Sequence, residues 1–189
     1  MTDHKDQSLS ALLAGLGTGD RALEDELARR LHGELRALAA GQLRAAPSQA
    51  SLQPTALVHE AWLRFCASDG LTFADRRAFF AFAGTVMRAI LVDRARAAAA
   101  LRRGGDRQRV SLPGGLVERE PAELDLLALE EALAKLEQLD PESAKLIELR
   151  FFGGLSHPEI AEITGGSLRS VERRWRFARA WLHSELADP

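Results

Sequence analysis

The sequence predicts an all-α fold of two small helical domains joined by a flexible linker. Apolar residues recur at steps of three and four over most of the 189 residues, which is the spacing of one helix face. No stretch shows the strict alternation of apolar and polar residues that a half-buried strand requires. Residues 105–122 contain a glycine pair and prolines without any period, which is typical of a connection. We therefore expect one domain at 1–104, a linker at 105–122 and a second domain at 123–189.

Three main helices are expected in the first domain. The first ends before Pro47 and has an apolar face formed by Leu23, Leu27, Leu31, Leu35 and Leu38. Pro54 opens the second, because proline is favoured at the first helical position. The third runs from about 75 to 103 and ends at Gly104-Gly105. Its inward residues are expected to be Phe79, Ala83, Val86 and Ile90.

The second domain is also expected to begin with helices. An apolar stripe opens it, formed by Leu126, Leu129, Leu133 and Leu136. Asp140 is expected to cap the next helix and Pro141 to open it. That helix should continue through Phe152 and stop at Gly153-Gly154.

A helix-turn-helix pattern follows in "SHPEIAEITGGSLRSVERRWRFARAW", residues 156–181. Ser156 and Glu159 have the spacing of a capping box, Gly165 permits the turn, and Ser167 caps the second helix. The buried stripe of that helix is expected to contain Leu168, Val171, Trp175, Ala178 and Leu182. Arg169, Arg173 and Arg176 lie on another face, so the helix could enter a DNA major groove. A plain helical hairpin with a basic surface is the alternative.

Charge is segregated along the chain, although the formal net charge is only −2. Seven arginines lie in residues 88–109, nine acidic residues in 118–142, and five arginines in 169–179. Two basic segments that flank an acidic one suggest two contacts with a polyanion. The plainer interpretation is that these are solvated helix faces.

Composition excludes several other classes of protein. Hydrophobic residues make up 46% and charged residues 28%, as in ordinary globular proteins, and no apolar run has the length of a membrane span. Cys66 is the single cysteine, the N-terminus has no signal-peptide core, and no Cys/His cluster has metal spacing. We expect a cytoplasmic protein without a catalytic site, a metal, a cofactor or a membrane partner.

Two stretches together resemble bacterial sigma factors of the extracytoplasmic-function (ECF) group. The first is "TALVHEAWLRF" with "FFAFAGTVMRAILVDRARAAAALRRGG", and the second is "LDPESAKLIELRFFGGLSHPEIAEITGGSLRSVERRWRFARAWL". The resemblance extends from about Leu9 to Leu186, and "LQPTALVHEAWLR" is similar to one branch of the group. It implies a non-enzymatic factor that gives core RNA polymerase its promoter specificity. Residues 1–104 would be region 2 and residues 123–189 region 4.

The resemblance also implies roles for individual residues. The residues that would dock on the polymerase β′ clamp helices are Leu57, Val58, His59, Glu60 and Trp62. The residues that would contact the −10 element are Arg88, Arg94 and Arg96. The −35 element would be read by Ser167, Arg169, Ser170, Arg173, Arg174 and Arg176. Region 4 would also meet the β flap, and an anti-sigma factor is a further implied partner.

Two positions depart from the pattern of the group. Met87-Arg88-Ala89 stands where many members have "ARN", so specificity at the melted −10 bases is expected to differ. Thr55 and Ala56 stand where many members begin the docking helix with acidic residues. Phosphorylation of Thr55 by a Ser/Thr kinase would restore about −1.5 to −2 charges there. The alternative is that Thr55 is a neutral first-turn residue.

Two other classes of protein remain open from the residues alone. A stand-alone helix-turn-helix regulator would bind an operator without polymerase, usually as a dimer. An inert helical interaction module would carry its basic face by chance. Residues 55–105 discriminate, because a simple regulator has no use for this region.

Overall fold

A computed structural model of the chain describes residues 9, 12–16, 18–45, 52–68, 71–101, 109–111 and 123–187. It confirms the all-α fold class. The helices are α1 (Arg21–Ala45), α2 (Pro54–Cys66), α3 (Arg76–Leu101), α4 (Leu126–Leu139), α5 (Pro141–Ile147), α6 (His157–Thr164) and α7 (Leu168–Ala187). Glu148–Phe152 continues α5 as a π-helical turn. None of the helices within these described ranges is long and apolar enough to cross a membrane.

The first three helices enclose one apolar core. The predicted face of α1 is buried at Leu27, Leu31 and Leu35, while Leu23 and Leu38 pack at its margin. Phe65 of α2 and Phe79 of α3 meet edge to face, with ring centroids 5.6 Å apart. Met87 is fully buried and Val86 only partly, so the inward face of α3 is rotated slightly from the predicted one.

A stretch within the predicted linker pairs with the first residues of the predicted second domain. Strands β1 (Arg109–Ser111) and β2 (Glu123–Asp125) are antiparallel, with Arg109 opposite Asp125. A strand of three residues is too short to show a period of two, so the sequence pattern could not predict it. Residues 102–108 and 112–122 lie outside the described residues, and the flexibility expected of the linker therefore stays a prediction.

The remaining helices form a second core around α7. The predicted start of α5 is confirmed, because the Asp140 carboxylate accepts a hydrogen bond from the backbone N–H of Ser143 at 3.1 Å. Hydrogen bonds from Ser143, and the neighbouring Arg174, hold the pKa of Asp140 below its usual range. The π turn ends where predicted, at Gly153, whose N–H donates to the Glu148 carbonyl at 2.9 Å.

The two helical units pack against each other through α3. This helix contacts the π turn, α4 and α6. Gly84 makes the approach possible, since a Cβ at this position would lie 2.3 Å from the carbonyl oxygen of Phe152. The buried amide of Gln42 donates to the carbonyls of Gly84 at 3.0 Å and Phe152 at 2.9 Å, and so joins three segments.

Candidate nucleic-acid interface

Helices α6 and α7 form the predicted helix-turn-helix. The capping box is confirmed: the Ser156 side chain accepts from the N–H of Glu159, and the Glu159 carboxylate accepts from the N–H of Ser156 at 2.8 Å. The Ser156 hydroxyl also donates to the Glu159 carboxylate at 2.6 Å, and this bond, together with the one from the Ser156 N–H, lowers the pKa of Glu159. Gly165 has a φ of 66°, which is the left-handed conformation that glycine adopts without strain. The turn therefore has the chemistry that its sequence predicts.

The second helix of the motif is anchored by part of the predicted stripe. Val171, Ala178 and Leu182 are buried, and Trp175 is partly buried. The prediction for Leu168 is wrong, because 43% of this residue is exposed. It occupies the first helical position, where a side chain leans back toward the exposed turn at Gly165-Gly166 instead of toward the core.

Three arginines of α7 share one exposed face. Arg169, Arg173 and Arg176 are spaced by four and three residues, which places them within about 60° around the helix axis. Among the described residues, no carboxylate lies within salt-bridge distance of their guanidinium groups. Apart from the Nε of Arg176, which donates to the Glu172 carbonyl at 3.4 Å, their donors are available to a ligand. Ser167 is exposed beside them, and its hydroxyl accepts from the N–H of Ser170 at 3.2 Å. Ser170 itself is half-buried.

Arg174 differs from the other predicted DNA contacts. Its guanidinium donates to Asp140 at 3.2 Å and also pairs with Glu142. Because Asp140 caps α5, this contact ties α7 to the N-terminus of α5. Arg174 therefore holds α7 against the start of α5 in this structure.

The three arginines predicted on α3 do not lie together. Arg88, Arg94 and Arg96 point about 80° to 160° apart around the helix axis. Arg94 is exposed and donates to Glu60 of α2 at 3.2 Å, and Arg96 is exposed. Arg88 faces the second unit, with only 11% of its side chain exposed. Spacing along the sequence could have shown that they diverge, but not that one of them is covered.

The predicted docking residues of α2 divide into two groups. Leu57 and Val58 are buried in the first core, and the half-buried ring of Trp62 lies edge to face with Phe65, with centroids 5.9 Å apart. His59 is exposed and Glu60 is half-buried. The first group packs against the first core, and the second offers polar atoms to a partner.

The outer face of α2 contains a residue that the sequence pattern did not single out. Leu63 is 58% exposed, and it follows Ala56 and His59 at helical spacing. Thr55 is also exposed, in a first turn that has no acidic residue and no side-chain cap from Gln53. Leu63 could have been found by asking which leucine falls outside the apolar stripe of this helix.

The model for the ECF sigma factor family matches residues 6–188, which include both helical units. The chain belongs to the ECF sigma factor family. No curated protein matches it. As an ECF sigma factor it acts in transcription initiation, and it binds core RNA polymerase and promoter DNA. Among the described residues, no three His, Cys, Asp or Glu side chains are grouped to hold a metal ion.

Proposed function

We propose that this ECF sigma factor reads a −35 element with α7, contacts a −10 element with α3, and docks on core polymerase with the outer face of α2. The single observation that carries the proposal is the exposed arginine face of α7 within a complete helix-turn-helix. In this assignment residues 1–104 act as region 2 and residues 123–189 as region 4. The polymerase supplies the chemistry, and this chain supplies only recognition.

The −35 contact depends on the N-terminal half of α7. Residues at the start of a recognition helix reach base edges, and the fork of donors in arginine suits guanine edges and phosphates. Our candidates for contacts with base edges are Arg169 and Arg173. Our candidates for contacts with the DNA backbone are Arg176, Ser167 and Ser170. Arg174 is assigned to the support of α7 through Asp140.

The −10 contact depends on α3. Arg94 and Arg96 are exposed and can approach phosphates directly, although Arg94 must leave Glu60 to do so. Arg88 is the third candidate, and it becomes available only when the second unit moves away from α3. Two modest contacts on one chain give a high combined affinity when the polymerase holds them at the right separation.

Docking on the polymerase is assigned to the exposed side of α2. His59, Glu60 and Leu63 supply a polar and an apolar contact at the centre of that face. Leu57, Val58 and Trp62 support it from inside the first core. The family's β′ clamp helices are the expected partner of this face, and the β flap is the expected partner of region 4.

Thr55 is proposed as a phosphorylation site that strengthens docking. Its hydroxyl is exposed, and the positive end of the α2 dipole favours an anion in the first turn. Phosphate would supply about −1.5 to −2 charges where the helix has no acid of its own. A kinase is therefore a proposed partner, and an anti-sigma factor that covers the same face is the other proposed route of control.

The decisive experiment measures the affinity of the purified chain for bacterial core polymerase, with Thr55→Glu and the kinase-treated chain in parallel. Tight binding by the unmodified chain supports the sigma role and contradicts an obligatory switch. Binding only after phosphorylation or with Thr55→Glu supports both. If no form binds core polymerase but the chain alone binds one DNA site tightly, the operator-binding regulator replaces this proposal.

A further inference from the structure

Arg88 is the most enclosed charged contact between the two helical units. Its Nε and Nη2 donate to Oε2 of Glu130 on α4, at 3.0 and 2.6 Å. Its Nη1 donates to Oε1 of Glu148 in the π turn at 2.8 Å. The guanidinium carbon also lies 4.7 Å from the ring centroid of Phe152. One arginine of α3 is therefore held by three residues of the second unit.

The surrounding contacts are those of a fitted interface. Gly84 touches the backbone at Phe152, and the Gln42 amide bridges the two segments. Leu126 at the start of α4 is buried in the core of the first unit. Arg77 of α3 adds an ion pair with Glu162 of α6. Within this interface only 11% of the Arg88 side chain is exposed, so water has little access to it.

We propose that this arrangement is a closed state of the free protein, and that Glu130 and Glu148 latch it by occupying Arg88 in place of DNA phosphate. The idea depends on the proposed function for the claim that α3 meets promoter DNA. Carboxylates and phosphates compete for the same fork of guanidinium donors, so Arg88 cannot serve both at once. The acidic segment of the chain then has a use: Glu130 of this segment, together with Glu148, neutralises Arg88 until the polymerase separates the units.

The latch is predicted to control the separation of the two units. Removing both carboxylates would leave a nearly buried cation without a counter-ion, which is strongly unfavourable in the closed state. Opening lets water solvate Arg88. We therefore expect Glu130→Gln with Glu148→Gln to raise the open fraction about tenfold or more, because the unpaired and nearly buried cation exists only in the closed state.

The test measures the distance between spin labels on the two units of the full chain. Labels are placed at His32→Cys on α1 and Ser184→Cys on α7, both exposed, in a Cys66→Ser background. The double glutamine variant should gain a long-distance population that wild type lacks. Glu137→Gln is the matched control, since this glutamate is exposed on α4 and has no ion pair among the described residues. It should keep the wild-type distribution.

Two further measurements keep the outcome decisive. If circular dichroism shows that the double variant has lost its helices, Arg88→Lys takes its place, because lysine keeps the charge but lacks the planar fork. Folded variants that keep the wild-type distances overturn the latch. Core polymerase added to the labelled wild type should produce the long distance, and binding with unchanged distances also overturns it. Absence of polymerase binding would contradict the proposed function while the result on the free chain stands.

Discussion

Arg173 on α7 and Arg88 on α3 are the same residue type in opposite settings. Arg173 is exposed on a face shared with Arg169, and neither has a carboxylate within salt-bridge distance among the described residues. Arg88 is 11% exposed and is held by Glu130 and Glu148. One set of guanidinium donors is open to solvent, and the other is already occupied. An arginine-rich helix therefore indicates a capacity to bind a polyanion, while tertiary packing decides whether that capacity is available.

The largest expected effect comes from the exposed set. Replacing Arg169 and Arg173 by alanine should weaken promoter binding by the polymerase complex by about 1–3 kcal/mol for each guanidinium lost, because each can make a bidentate base contact. The helix should remain folded, since both side chains point away from its core. Binding is measured on −35 promoter duplexes, with Arg36→Ala on α1 as the control. Unchanged promoter affinity would remove α7 as the reading helix.

The next effect concerns the approach of the two units at Gly84. Gly84→Ala places a Cβ against the carbonyl of Phe152, so it should disfavour the packed arrangement by about 1–3 kcal/mol. Thermal unfolding and the radius of gyration of the free chain report this change. Gly33→Ala on α1 is the matched control, because nothing lies within 4 Å of its Cβ position. That variant should gain about 0.5–1 kcal/mol in stability, as alanine usually does in a helix.

Arg174 tests whether an arginine of α7 contacts promoter DNA or only holds α7 in position. Arg174→Ala loses the contact with Asp140 and Glu142, which is partly solvent-exposed, so the loss of stability should be about 1 kcal/mol or less. Promoter affinity should fall by less than for Arg173→Ala when both are measured on folded protein. A larger fall for Arg174 would assign it to DNA and contradict the supporting role.

The smallest expected effect is the part of the pH dependence of folding stability that comes from His157. Burial, and then the nearby Arg150, lower the pKa of this histidine, whose ring lies 5.6 Å from that of Trp175. The unfolded chain therefore takes up a proton near pH 6.5 before the folded chain does, and stability falls as the pH drops below that value. His157→Asn should reduce the loss of stability between pH 7.5 and about 5.5 in thermal unfolding. Equal losses in both proteins would place the pH dependence elsewhere.

Local features of the fold were predictable because each depends on a few neighbouring residues. The caps at Asp140 and Ser156, the left-handed Gly165 and the start of α2 at Pro54 follow from short-range backbone chemistry. The arginine face of α7 was predictable from helical spacing. The prediction for Leu168 was wrong because helical spacing shows which residues share a face, but not where along that face the packing partner ends.

The candidate docking and −10 residues were harder to divide by function. Leu57 and Val58 lie in the same motif as His59, yet two are core residues and one is on the surface. A motif contains residues that pack and residues that contact a partner, and only burial separates the two. Leu63 was overlooked for the same reason, since an exposed leucine looks like any other in a helical pattern.

By itself the sequence determined the all-α class, the helix-turn-helix and the membership of the ECF sigma factor family. Each of these depends on local backbone preferences and on the spacing of motif residues. Only the tertiary structure decided that α3 meets the π turn at Gly84, and that Arg88 meets Glu130 and Glu148. These partners lie 42 and 60 residues away along the chain, and no periodic pattern links them. These contacts form because the two helical units bury part of their surfaces against each other. Which residues then come into contact depends on the three-dimensional shapes of the two units.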